Sequence, residues 1–303
     1  MRELITYHDR RSGALLAEPV YAGAFLRWLY NTRSGAALAG LLTQPLLSRI
    51  YGWANSSAWS RRRIRPFVEQ MGIDMQSSVK RIDEFRSFND FFTREIQSAS
   101  RPVCDKPNVC VAPADGKLLT YRQVDAQRSF QIKRSCFNLG GLLGDRVEAS
   151  SFAGGSLVVA RLGLADCHHF HFPDSGVPEA ARSIEGRLHA GGPYALRTLV
   201  PFFSENHRMV TRFASDHFGP MAIVEIGALT VGSIRQRFEP GARVATGDPK
   251  GYFELGGSTV VLLFRPGAIQ LDDDLYAATS RGIETFVRRG EAIGRAPRTR
   301  RTT

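Results

Sequence analysis

At Arg101-Pro102 the chain changes texture, and that change limits the available folds more than any other feature. Downstream, short apolar runs alternate with Gly, Pro and Asp: "NVCVAPADGKLLTYRQV", "SLVVARLG", "MVTRF", "MAIVEIGALTVGSI" and "STVVLLF". Such runs, bounded by turn formers, read as strands. Upstream, residues 21–100 read as several short helices interrupted at Gly35, Pro45, Gly52 and Pro66, with Ser87 capping "SFNDFFTREI". Residues 1–20 read as irregular or as a hairpin. The fold class expected is therefore α+β, with a helical N-terminal region (1–100) followed by a β-rich, mainly antiparallel catalytic body (101–295). A basic, disordered tail (296–303) closes the 303-residue chain.

Charge narrows the partners. The formal net charge is +11, and no Asp or Glu occurs from Pro19 to Val68. That stretch holds seven arginines and all three tryptophans, Trp28, Trp53 and Trp59, among many Leu, Ile and Tyr. Arg beside Trp and Leu at helical spacing suits an anionic membrane surface, with cations for phosphates and aromatics at headgroup depth. An amphipathic helical subdomain packed on the core, with a solvated basic face, would give the same composition. Nucleic acid is disfavoured, because the basic residues accompany Trp and Leu and form no reading motif. The best apolar window, "GAALAGLLTQPLL", is too short to span a bilayer and is broken at Gln44-Pro45. No secretory signal is evident at the start. Four cysteines without a CxxC pair indicate reduced thiols in a cytosolic compartment. The expected location is peripheral, on the cytoplasmic face of a membrane.

Three segments carry chemistry. His168, His169 and His171 crowd into "DCHHFHFPDSG". No second cluster of Cys, His or carboxylates offers closing ligands, so no metal is expected. On a regular strand His168 and His171 face opposite sides; a bend, for which Pro173 is the natural place, would bring both to one pocket. Asp115 lies in "VAPADGKL", where Pro-Ala-Asp-Gly also makes an ordinary turn. Finally, "GYFELGGSTVVLLF" sets Gly257-Ser258 directly before an apolar run. A turn accounts for it, but a GxSxG elbow does not, since position 260 is Val260.

A carboxylate, an imidazole and a hydroxyl from separate segments can assemble an activated nucleophile. An activated Ser258 hydroxyl could attack the unshielded Gly257 carbonyl and shift the acyl group from nitrogen to oxygen. Elimination of the ester and hydrolysis with loss of ammonia would then cut the chain. Thr259 would be left carrying a pyruvoyl group, an electron sink for losing carbon dioxide from an amino-acid-like substrate.

Taken in order, "FLRWLYNTRSGAALAGLL", "SFNDFFTREI" with "RPV", "VAPADGKL", "DCHHFHFPDSG", "VEIGALTVGSI" and "GYFELGGSTVVLLF" resemble the blocks of the phosphatidylserine decarboxylase family. The resemblance implies decarboxylation of phosphatidylserine to phosphatidylethanolamine, with Ser258 converted to the pyruvoyl cofactor and cleavage between Gly257 and Ser258. It implies His171 as the self-processing base, Asp115 as its orienter and His168 as the residue serving decarboxylation. The fragments 1–257 and 258–303 should stay together as a heterodimer, and homodimerisation is left open. Ser175 and Leu229-Thr230 depart from the family pattern at positions expected to line the substrate pocket. Two alternatives remain: a pyruvoyl-dependent decarboxylase of another amino substrate, and a non-enzymatic membrane-binding protein retaining the fold.

Overall fold

The computed structural model describes residues 6–19, 28–29, 32, 34–35, 45–125, 130–132, 135–189, 202–228, 233–255 and 258–297. Most of 19–44, the Leu229-Thr230 pair, Gly257 and the end of the basic tail lie outside the described residues.

Alternating turn formers and apolar runs build a ten-stranded sheet. Its central strands run, in spatial order, Arg208–Ser215, Gly219–Ile226, Ser258–Phe264, Ser156–Leu162, Gly116–Tyr121 and Glu284–Val287, all paired antiparallel. A hairpin of Thr6–Asp9 and Leu15–Ala17 extends one edge, and Thr6–Asp9 runs parallel to Glu284–Val287. The expected α+β class and mainly antiparallel body are thus present, and the first strands of the chain are built into the body's sheet. Two three-stranded sheets, Ile234–Gln236 with Pro249–Phe253 and His169–His171, and Gln270–Leu271 with Ala292–Arg295 and Val109–Val111, stand beside it with a two-stranded one, Phe130–Ile132 with Ser135–Phe137.

Why "STVVLLF" lacks polar alternation follows from its place in the middle of the sheet. Val260, Leu262 and Phe264 join one apolar cluster with Val158, Ala160 and Leu162. Val261 and Leu263 join a second with Leu157 and Val159 on the opposite face. Successive side chains point to opposite faces, so a strand covered on both must be apolar throughout. Residues C-terminal to Gly257 therefore interleave with residues before it. Ser258–Phe264 lies between Gly219–Ile226 and Ser156–Leu162, and Glu284–Val287 lies between Gly116–Tyr121 and Thr6–Asp9.

The N-terminal helices differ from expectation at two of their breaks. Helix Pro45–Ser56 runs through Gly52, because one glycine costs a helix only about 1 kcal/mol. Helix Ile64–Met71 contains Pro66 in its first turn, where the missing N–H has no intrahelical partner to lose. That helix stops at Gly72, whose φ of 62° makes a left-handed cap. Ser87 does cap Phe88–Phe92, its hydroxyl accepting from the Asp90 N–H at 3.1 Å.

Phe67, Phe85, Phe88, Phe91 and Phe92 form a third cluster that packs against Leu164, Ala165 and Leu255. This helical layer consequently sits over the loop before the histidines and over the approach to Ser258. Among the described residues no helix is long and apolar enough to cross a membrane.

Candidate active site

Ser258 opens its strand and is fully buried. Its hydroxyl lies 3.0 Å from His168 Nδ1. Nε2 of the same ring lies 3.1 Å from the Gly163 carbonyl oxygen. A carbonyl only accepts, so Nε2 carries the proton and the Nδ1 lone pair faces the serine hydroxyl. Phe92 stacks on the imidazole at 3.9 Å between ring centres. Burial, and next the Arg94 guanidinium, push the His168 pKa well below the usual value, so the ring is neutral.

The chain bends both before the histidines, at Asp166, and after them, at Pro173, yet His168 and His171 do not share a pocket. The strand covers only His169–His171, and His168 lies just before it in the connection from Ser156–Leu162. His171 therefore faces elsewhere. Its Nε2 accepts from Arg289 Nη1 at 2.7 Å, and its buried Nδ1 has no partner among the described residues. Burial, then Arg289, lower its pKa to about 3. Asp115 is gripped by the Arg101 guanidinium at 2.8–2.9 Å and by the Arg289 backbone N–H at 2.8 Å. Neither an Asp115–His171 nor a His171–Ser258 hydrogen bond is formed. Instead Asp115 and His171 line a cleft of about 180 Å³ together with Arg101, His169, Arg237 and Arg289. Ser175 is not in its wall; it donates to Asp216 at 2.7 Å in an exposed turn.

Among the described residues no three His, Cys, Asp or Glu are grouped to hold a metal ion. What the site offers is a neutral imidazole on a buried hydroxyl, and a cleft rich in guanidinium groups whose wall includes Cys167 and His169, the chain neighbours of His168, but neither His168 nor Ser258. A hydroxyl so placed can lose its proton to the ring, and the cleft can hold an anionic group.

A profile of the family described as phosphatidylserine decarboxylase matches residues 88–295, which include Asp115, all three clustered histidines and Ser258. The chain belongs to the phosphatidylserine decarboxylase family. It is 42% identical to the phosphatidylserine decarboxylase proenzyme of Chlamydia felis over 96% of this chain and 98% of that one. The proenzymes of Chlamydia pneumoniae and Chlamydia muridarum are each 40% identical, over 96% and 95% of this chain and 97% and 96% of theirs.

For this phosphatidylserine decarboxylase family member, sequence reading overlooked Phe92, Arg94, Arg101, Asp166 and Arg289. One signal was available: Lys117 and Arg161 each interrupt an apolar strand run, and a cation there demands a buried partner. Arg161 does hold Glu284 and Glu18, both at 2.7 Å.

His168, His169 and His171 are all held below their ordinary pKa, burial being the first cause for each. An unfolded chain binds protons at these sites below about pH 6.5, whereas the folded chain does not. Stability is thus fully present above pH 6.5 and falls as pH drops toward the lowered values. At pH 5 the loss is about 2 kcal/mol for His171. Urea unfolding at pH 7 and pH 5 measures it. His171→Phe should show a shallower loss than the parent, and equal slopes would contradict the assignment.

Proposed function

We propose that the chain is a self-processing decarboxylase that converts phosphatidylserine to phosphatidylethanolamine with a pyruvoyl group made from Ser258. The observation that carries this reading is the buried Ser258 hydroxyl on the His168 lone pair, one residue after a glycine. The relatives' description as proenzymes supports a chain that cuts itself. Ser258 Oγ attacks the Gly257 carbonyl, the peptide becomes an ester, and elimination frees the Gly257 carboxylate. Water then displaces ammonia at residue 258, which becomes the pyruvoyl group. That group supplies an electron sink beside a bound amine. His168 would hold it and exchange a proton at residue 258, while Phe92 and the surrounding clusters exclude water. Arg289 and the cleft cations suit the anionic headgroup.

The division of labour proposed is His171 with Asp115 for cleavage, and His168 for decarboxylation. The 3.0 Å contact favours a second reading, in which His168 also takes the Ser258 proton during cleavage.

Association with an anionic membrane surface is part of the proposal. Trp53 is 78% and Trp59 64% exposed, Ile50 and Tyr51 are exposed beside them, and Arg62 stacks on Trp59. Exposed tryptophans with arginines fit headgroup depth.

Intact mass under denaturing conditions, together with carbon dioxide release from phosphatidylserine vesicles, tests the reading. Two fragments, the smaller beginning with a pyruvoyl group at 258, and release from vesicles exceeding release from a water-soluble headgroup analogue are expected. An uncut, inactive chain sinks it. Failure to sediment with anionic vesicles removes the membrane part.

A further inference from the structure

The loop between strands Ser156–Leu162 and His169–His171 decides which nitrogen of His168 carries the proton. A neutral imidazole has one N–H, and the ring's two faces of chemistry exchange when that proton moves. At His168 the choice is made by the Gly163 carbonyl, 3.1 Å from Nε2. If that oxygen turned away, nothing would oblige Nδ1 to present a lone pair to residue 258.

Asp166 fixes the oxygen from two directions. Its backbone N–H donates to the Gly163 carbonyl at 3.0 Å, and its carboxylate accepts the Gly163 N–H at 2.6 Å. The carboxylate is in turn seated by Lys117 Nζ at 2.7 and 3.0 Å. Lys117 lies 3.8 Å from Glu18, which chelates Arg161 at 2.9 and 2.7 Å. Lys117 and Arg161 are cross-strand partners, and Arg161 is the partner of Thr259, the residue after the serine. A Cβ on Gly163 would come within 3.1 Å of Glu18 and Lys117 and 3.2 Å of Asp166, so the charged groups close directly around this glycine.

The Asp166 and Lys117 side chains are 9% and 6% exposed. Buried ion pairs add little stability over apolar replacements, so stability alone does not account for this one. Placement of the loop does. The geometry points to Asp166, seated by Lys117, as a positioning residue that holds the Gly163 carbonyl on His168 Nε2–H and thereby aims the Nδ1 lone pair at residue 258. The inference rests on Ser258 and His168 being the reacting pair proposed above.

The test reads the ring directly and does not require activity. In Ser258→Ala protein labelled with ¹⁵N-histidine, long-range ¹H–¹⁵N spectra report the His168 tautomer, with the signal assigned by its loss in His168→Gln. The parent should show the Nε2–H form. Asp166→Ala with Lys117→Met removes the holder and its counter-ion together, so no lone buried cation hinders folding. It should replace the single pattern by a mixture or the Nδ1–H form. Asp166→Asn with Lys117→Met restores an oxygen for the Gly163 N–H and should restore the pattern.

In proteins retaining Ser258, turnover per cleaved chain should fall at least about tenfold in the first pair, mainly in kcat, and recover in the second. The same tautomer in both pairs as in the parent, or its equal loss in both, overturns the positioning role. A chain that never decarboxylates but shows the expected tautomer change would instead overturn the function and leave the positioning intact.

Discussion

Ser258→Ala is expected to run as one full-length chain and to release no carbon dioxide from phosphatidylserine. The substitution removes a single oxygen from a fully buried position whose backbone remains paired with Leu162. Among the described residues the hydroxyl's side-chain partner is His168 Nδ1, which then loses a neutral hydrogen bond. That costs about 1 kcal/mol, far too little to unfold a domain of this size. Loss of both processing and turnover in a folded protein would therefore come from the missing nucleophile. Intact mass and the release assay decide it. A cut chain would place the break elsewhere, and an active uncut chain would remove the need for the pyruvoyl group.

His168→Ala carries the next largest effect. On the cleaved fraction, turnover should fall by roughly 10²–10⁴-fold, the usual contribution of a positioned acid–base group. Cleavage itself separates the two readings of the histidines. If His171→Ala stays uncut while His168→Ala still cuts, His171 and Asp115 process the chain and His168 serves turnover. If His168→Ala alone stays uncut, the 3.0 Å contact describes the processing base. Wild-type turnover in His168→Ala would exclude it from the chemistry altogether.

Much of the architecture was legible because it is written in local patterns. "STVVLLF" announced a strand, and Ser87 announced a helix start. Gly52 and Pro66 misled, because their penalties are position-dependent: one sits mid-helix where packing outweighs it, the other in a first turn that tolerates it. At the site, spacing could show that His168 and His171 need a bend to share a pocket. It could not show that His168 lies just outside the strand, against Ser258, while His171 within it pairs with Arg289. Partners such as Arg289 and Asp166 are ordinary surface-type residues until the fold brings them against the histidines and their loop. Only the interrupted apolar runs at Lys117 and Arg161 hinted that charge was being taken inside.

The place of Ser258–Phe264 in the middle of the sheet has a consequence for the order of events in the molecule's life. An intact chain inserts that strand as part of itself, a search at fixed high local concentration. Once severed before residue 258, the same insertion becomes an encounter between two molecules, and its rate depends on how much of each is present. If the chain is cut as proposed, the route back to the fold from separated fragments is second-order, so folding before the cut is the faster order.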